Sequence, residues 1–422
     1  MNRYKYLLLL FLITPVSAYS QSDPGDFQNL LKQLRSFIPA QREAAEKALI
    51  QLGPQPGAAL PDSNQPGLPA DVKMRLERIR KAWDSHNSQS YLKAGTVQNT
   101  TSATLNEWLK SAQKETGNSI DVSRISPEIL DSPLTSLKSE EFWSATDEIV
   151  QKYQLKYSWF ERPKAVRLQP GGTGLSPSVL YKGPFRLELA EWGTTIRPTD
   201  PENSTIRTGL ILAWEPRLRP IYFDFLPTMQ YSDGTTVSGE SLQILGGEGC
   251  AKPLDFIFPL PRLAEKKPVA LRGDFSVAIA GEGRIFPFSV EGNPQFPITL
   301  RQDEAHVALK SLRRTDNKTI AVQIAVEFDE SHSALRSYMT WLNSNKAYLI
   351  ASDGTKLESS DWETVWQSER GAEARYYFTV NSDLKIRQVE YFSPTAIKKI
   401  DYSFCFEGIF SDNASPLLQN TP

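Results

Sequence analysis

Three histidines, His86, His306 and His332, are all that this 422-residue chain holds, and two of them sit beside acids. Asp303-Glu304-Ala305-His306 and Asp329-Glu330-Ser331-His332 are the groupings in which an imidazole and carboxylates could share a metal ion or a proton. Their spacing matches no helix-borne zinc motif and the remaining ligands cannot be named, so each is expected at a strand edge or turn with its charges in water. There is no Gly-x-Ser-x-Gly elbow, and no histidine stands in a triad setting, which leaves a serine hydrolase without support. Gly171-Gly172-Thr173-Gly174 and Gly246-Gly247-Glu248-Gly249 lack the Lys-Ser/Thr or strand-to-helix context of a phosphate cradle and read as linker and turn. Asp200-Pro201-Glu202 supplies two loop acids, short of the roughly six to eight oxygens that calcium takes. With 49 acids spread along the chain, the carboxylate pair of a glycosidase cannot be picked out by spacing. No catalytic, cofactor-binding or metal residue is assigned, and no cofactor is expected.

Nine tryptophans raise a different chemistry, since an indole face stacks on a sugar ring. Trp108 and Trp159 fit core positions. Trp192, Trp214, Trp341, Trp362 and Trp366 fall in the β-rich half, and Trp362 and Trp366 lie in a polar stretch. Their spacing puts both on one face of a strand or a helix, which makes them the candidate exposed aromatic platform. Cys250 and Cys405 are the only cysteines, too few for a disulfide framework. Export permits a bridge between them, but alternation points Cys405 away from the face shared by Phe404 and Phe406.

The elements that must position these residues follow an export signal. Arg3 and Lys5 precede an apolar run from Tyr6 to Val16, and Val16-Ser17-Ala18 supplies a small-residue cleavage site. The run is about eleven residues against the roughly twenty of a spanning helix, no cysteine follows it to take a lipid, and no later stretch is apolar enough to span. The chain is expected to be cut near Ala18 and released to the periplasm, envelope or extracellular space without stable membrane insertion. Net charge is -2, with 47 basic residues spread in short runs, which argues against a nucleic-acid partner. Four Asn-x-Ser/Thr sequons begin at Asn99, Asn203, Asn317 and Asn413 and matter only in a glycosylating host.

The expected fold is multidomain: a small all-α unit, an α+β domain of βαββαβ type, and an all-β part with one or two antiparallel β-sandwiches. Residues 22–88 read as helices. Phe27, Leu30, Leu31, Leu34 and Ile38 line one face, Ala45, Ala48, Leu49 and Leu52 a second, closed by Gly53, and Val72, Leu76, Ile79 and Trp83 a third behind Asp71 as N-cap. Arg42 through Gly53, with Asp71-Val72-Lys73-Met74-Arg75, resembles HEAT-like repeats over about one and a half repeats, which implies packing on a neighbour or a capping role. Over 92–169 a strand near 92–97 leads to a helix bearing Leu105, Trp108, Leu109 and Ala112 and ending at Gly117. A second helix, capped by Ser139, bears Phe142, Ala145, Ile149 and Tyr153, and Tyr157, Trp159, Val166 and Leu168 form a closing hairpin. The order from Thr104-Leu105-Asn106-Glu107-Trp108-Leu109 to Phe142-Trp143-Ser144-Ala145-Thr146-Asp147-Glu148-Ile149 resembles the short N-terminal domain of secretins and TonB-dependent receptors. That resemblance implies a periplasmic interaction module, although no barrel-length set of strands follows.

After a linker at 169–178, alternation takes over to about residue 410, with Phe185, Leu187 and Leu189, or Val322, Ile324, Val326 and Phe328, marking half-buried strands. Ser232-Asp233-Gly234-Thr235 recurs as Ser352-Asp353-Gly354-Thr355, about one sandwich domain later. Two sandwiches, 179–294 and 295–410, with a boundary at Gly292 to Pro297, are the expected division, and 411–422 is an expected disordered tail. The whole order, with Gly183-Pro184-Phe185 and Glu215-Pro216-Arg217-Leu218, resembles uncharacterised exported bacterial proteins and implies no activity. The favoured expectation is an exported, non-catalytic scaffold or interaction protein with an envelope or extracellular protein partner. The alternatives are a carbohydrate-binding or carbohydrate-active protein with a cleft in a sandwich, and an accessory component of a secretion or uptake complex.

Overall fold

The computed structural model of the chain describes residues 24–52, 60–61, 67–98, 104–134, 136–159, 164–172, 178–197, 199–200, 204–260, 267–281, 283–292, 294–336, 341–381 and 384–408. The expected signal segment, the junction at Ala18, the Gly53 cap and the tail 411–422 lie outside these residues. The molecule is mostly β, with several antiparallel sheets and a few helices, and it divides into two compact units, 1–87 and 88–422. Among the described residues no helix is long and apolar enough to cross a membrane.

In the first unit α1 (Pro24–Gln33), α2 (Pro39–Leu52) and the start of α3 (Ala70–Tyr91) share a core of Phe27, Leu34, Ala45, Leu49, Val72, Leu76, Ile79 and Trp83. The Trp83 indole N–H donates to the Leu49 carbonyl at 2.7 Å, which satisfies the one polar atom that the ring buries. Glu46, also buried, accepts from Arg75 at 2.5 Å and Arg78 at 2.6 Å, so charge as well as apolar contact ties α2 to α3. Ile38, expected on the buried stripe, is instead exposed next to a fully exposed Phe37. Pro39 disfavours helical geometry at the residue before it, so α1 stops short and α2 restarts with the proline in its first turn.

The second unit opens with α4 (Leu105–Thr116), β1 (Ile120–Asp121), a one-turn α5 (Pro127–Leu130), α6 (Phe142–Lys152), β2 (Leu155–Tyr157) and β3 (Val166–Pro170). Thr104 and Glu107 form a reciprocal capping box on α4, and Gly117 ends it at φ 72°. The apolar faces of α4 and α6 share a core with a three-stranded sheet ordered β1-β3-β2, in which β1 runs parallel to β3. Ser139 does not cap α6: its hydroxyl contacts Ser144, and the N-cap position falls to Glu141. The leading strand expected at 92–97 is reduced to a single bridge, Thr96 to Glu141. The Gly95 N–H donates to the Glu215 carboxylate at 2.7 Å, and a Cβ at 95 would stand 2.9 Å from that carboxylate. This segment is therefore anchored to the β-rich region, not to the module's own sheet.

The β-rich region comprises β4 (Val179–Lys182), β5 (Phe185–Thr195), β6 (Thr205–Trp214), β7 (Pro220–Tyr231), β8 (Thr236–Ser238), β9 (Leu242–Leu245), β10 (Ala251–Pro259), β11 (Pro268–Ala280) and β12 (Gly283–Ser289). It continues with β13 (Ile298–Gln302), β14 (Ala305–Arg314), β15 (Thr319–Phe328), β16 (Lys346–Ala351), β17 (Lys356–Glu358), β18 (Asp361–Gln367), β19 (Gly371–Thr379), β20 (Ile386–Pro394) and β21 (Ile397–Glu407). Sheets β10-β6-β5-β4 and β21-β11-β7-β8 enclose one core, rich in phenylalanine; sheets β12-β20-β16-β17 and β13-β14-β15-β19-β18 enclose the other.

The pairing order repeats between these two sandwiches, with β5, β6 and β10 answered by β14, β15 and β19, and β7, β8 and β11 by β16, β17 and β20. Local detail repeats too. Tyr231 N–H donates to the Thr235 carbonyl, as Ala351 N–H does to that of Thr355, each at 2.9 Å, and bulges follow Leu189 and Leu309. The expected boundary at 292–297 needs correction, because the sandwiches exchange strands. β11 and β12 are consecutive in sequence but belong to different sandwiches, as are β20 and β21; β11 pairs with β21, and β12 with β20. Ala280 opposite Ile397 and Gly283 opposite Pro394 keep the same register, so 270–280 with 397–407 and 283–289 with 388–394 act as one antiparallel ribbon through both sandwiches. The Gly281 N–H donates to the Ala396 carbonyl at 2.9 Å where the strands change sandwich. Residues 292–297 merely connect two sheets of the second sandwich.

Candidate functional site

The most densely connected buried charges lie where the α+β module meets the first sandwich. Asp147, on α6, accepts from Arg186 of β5 at 2.9 Å, from the Tyr181 hydroxyl at 2.6 Å and from the Tyr157 hydroxyl. Arg186 is wholly buried and also donates to Glu188 at 2.5 Å. Its remaining terminal nitrogen has no hydrogen-bond partner. The guanidinium carbon sits 5.0 Å and 5.4 Å from the Tyr157 and Trp159 ring centroids, so aromatic faces stand where an acceptor would. Burial, and then the Asp147 charge, push the Tyr157 phenol well above its ordinary range. Burial opposes the Arg186 cation, but the Asp147 and Glu188 carboxylates beside it outweigh that and hold the group charged. A second knot surrounds Glu215, also wholly buried, which accepts from the Gly95 N–H, from Asn118 at 2.8 Å and from Arg217 at 2.6 Å. The Pro184 carbonyl accepts from the Trp143 indole and from the Glu215 N–H, each at 3.0 Å. Gly183-Pro184-Phe185 and Glu215-Pro216-Arg217-Leu218 are thus the seam between module and sandwich.

The two acid-histidine groupings are brought side by side but do not form one centre. His306 Nε2 lies 2.8 Å from Asp329, whose other oxygen takes Arg301 at 2.8 Å. Burial raises the Asp329 carboxyl, yet the His306 hydrogen bond and the Arg301 charge outweigh it and hold it below its usual range. Glu304 is drawn off to Lys398, and His332 stands 3.6 Å from Glu330 while its carbonyl accepts from the Tyr222 hydroxyl at 2.5 Å. Among the described residues no three His, Cys, Asp or Glu side chains are grouped to hold a metal ion. Of Asp200-Pro201-Glu202, only Asp200 lies within the described residues.

Trp362 and Trp366 are both exposed on the edge strand β18, but not on one face. A bulge between Thr364 and Trp366 inserts Val365, so Trp362 stands opposite Tyr376, which points into the core, while Trp366 stands opposite the outward-facing Glu373. On the inner side Trp362 borders a cleft with Leu342, Thr364, Tyr376 and Tyr391; its cavity volume is about 20 Å³, room for a water and too little for a sugar ring. On the outer side the Trp366 ring lies over Gly371, where a Cβ would stand 3.2 Å from it. The Cys250–Cys405 bridge is also corrected: both thiols are free. Cys250 belongs to the core shared with the α+β module, and Cys405, on β21, leans toward Glu407 at 3.4 Å on the outside of the opposite sheet. Burial pushes the Cys250 thiol up to about 12.

Sequence reasoning missed the seam. Asp147 and Glu215 stand in strings marked only by resemblance, and Arg186 alternates with Phe185 and Leu187, a pattern that puts it on the open face of a half-buried strand. No protein-family model matches this chain, and no curated protein matches it.

Proposed function

We propose that the chain is an exported, non-catalytic scaffold whose α+β module and paired sandwiches act as one body that presents surfaces to protein partners in the envelope or outside the cell. One observation carries this reading: the buried ionisable groups Asp147, Arg186 and Glu215 join the module to the first sandwich, and none converges with others on an open cleft. The strand-exchanged ribbon supports it, since two sandwiches that complete each other cannot turn independently. Within this reading 22–88 is a HEAT-like capping segment and 92–169 is akin to the short N-terminal domain of secretins, a contact module.

The test is to express the full chain with a photo-crosslinking residue at Phe37, the most exposed large apolar side chain among the described residues, and to sequence the N-terminus of the recovered protein. The reading expects a mature chain starting near Tyr19 and a discrete crosslinked adduct to an envelope or extracellular protein. A chain kept in the cytosol with its first residues intact, or crosslinks to lipid alone, would overturn it.

A further inference from the structure

The first sandwich uses the outer face of β10-β6-β5-β4 to carry the α+β module. The second sandwich has the same face, on β13-β14-β15-β19-β18, and no described residue of the second unit's α+β module lies in its core. The second repeat also widens it. β9 pairs with β7 in the opposite sheet, whereas its counterpart β18 joins this one as an added edge bearing Trp366.

Register turns this face into a groove. Directly across the strands from Trp366 come Glu373, Ala325, Ala308 and Thr299. The row on one side carries Glu327 and His306, and the row on the other carries Arg375 and Gln323. Ala325 faces outward yet is only 6% exposed, because taller side chains stand over it on both sides. The middle of the floor, Ala325 and Ala308, is therefore low and apolar, Glu373 stands between it and the indole, the walls are polar, and the indole at one end is 49% exposed but seated on the backbone of Gly371.

The cations of this face are taken up by its own carboxylates, and two further carboxylates, Glu327 and Glu373, stand without a cation among the described residues. Glu363 pairs with Arg375 at 2.6 Å, Asp329 with Arg301 and His306, and Glu373 takes the Gln323 amide. Such a surface has no excess of positive charge with which to select a polyanion, and its spare carboxylate and amide oxygens can accept from hydroxyls. A seated indole beside paired hydrogen-bonding groups suits a ligand that is flat and apolar on one side and rich in hydroxyls at its edge. We propose that the groove is a binding site for a neutral polysaccharide, with one sugar ring stacked on Trp366 and neighbouring hydroxyls bonded by Glu373, Gln323 and Glu327. The site is independent of the scaffold reading, which concerns the seam and the ribbon.

The test titrates the mature chain with cellohexaose, chitohexaose and an acidic control, oligogalacturonate, read by calorimetry and indole fluorescence. Saturable binding of at least one neutral glycan is expected, weakened about tenfold or more by Trp366→Ala, a change of about one decade in Kd. Trp366→Phe, which keeps a ring face, should recover part of that loss, and Trp362→Ala, on the other face, should bind as the parent does. Unchanged circular dichroism and melting temperature exclude unfolding as the cause. No binding of either neutral glycan, preference for the acidic one, equal loss in Trp362→Ala, or a protein crosslink from position 366 in place of glycan binding would each overturn the proposal.

Discussion

Asp147→Ala is the sharpest perturbation of the seam. Asp147 is 2% exposed and accepts from three donors, and removing it leaves the fully buried Arg186 cation with Glu188 as its remaining acid. Deleting one partner of a buried pair costs about 3–5 kcal/mol, because the other charge stays desolvated. Glu188 survives at hydrogen-bond distance, which favours the lower end, about 3 kcal/mol. The Tyr157 hydroxyl, on a half-buried side chain, loses its acceptor and adds about 1 kcal/mol, whereas the exposed Tyr181 can turn to water. The expected loss is about 4 kcal/mol. Removing the cation as well, in Asp147→Ala with Arg186→Met, should return a substantial part of it, so the two changes couple by at least about 2 kcal/mol. Urea unfolding of the mature chain, followed through the indoles of Trp143 and Trp159 beside the seam, measures all three variants. A loss under about 1 kcal/mol for Asp147→Ala, or strictly additive single changes, would refute the reasoning.

Truncation before Ile397 removes β21, the last strand in sequence but a member of the first sandwich; limited proteolysis should then open residues 179–280 before 298–394, and the reverse order would contradict the exchange. Under native conditions one thiol, Cys405, is expected to react with a disulfide reagent while Cys250 waits for denaturant; a chain with no reactive thiol even when unfolded would mean a bridge. Burial lifts the Asp121 carboxyl, but the N–H and hydroxyl of Ser123 and the Arg167 guanidinium outweigh it and hold it at about 2. A depressed folded value stabilises above the unfolded value and is lost as pH falls from about 4 toward 2, so Asp121→Asn should lower stability by up to about 2 kcal/mol at neutral pH and flatten the acid limb, as pH-dependent melting would record. An acid limb identical to the parent's would refute that assignment.

Much of the fold was legible because local chemistry and packing agreed. The Leu105, Trp108, Leu109 and Ala112 stripe with its end at Gly117 and the Phe142, Ala145 and Ile149 stripe are decided within a few residues, and each stands where the sequence puts it. What failed did so for long-range reasons. Leu92 to Val97 has a strand's composition, but its backbone meets that of Glu140 to Phe142 at the start of α6, and Gly95 is held by Glu215, more than a hundred residues away. The two tryptophans obey an even spacing until one bulge residue, Val365, turns the strand over. The acid-histidine groupings were visible, and it is the hairpin of β14 and β15 that sets His306 of the first beside Asp329 of the second.

Comparing the repeats shows why composition alone could not assign roles. Arg186 and His306 each hold the second position of the equivalent strands β5 and β14, and Glu215 and Asp329 follow β6 and β15. Their backbones are bonded alike, Glu215 N–H to the Pro184 carbonyl at 3.0 Å and Asp329 N–H to that of Glu304 at 2.9 Å. In the first repeat both side chains are wholly buried and hold a module. In the second they face solvent and pair with each other and with Arg301. The sheet positions are the same, so the difference comes from what covers them. A covered face needs charges that find partners on the covering module, as Arg186 finds Asp147 and Glu215 finds Asn118. An open face can leave its charges to water and to one another, as Glu363 pairs with Arg375 and Asp329 with Arg301 near Trp366. If the second face were the seat of a permanently docked module, it would carry buried, outward-directed charges like those of the first; its solvent-facing set instead suits a ligand that comes and goes.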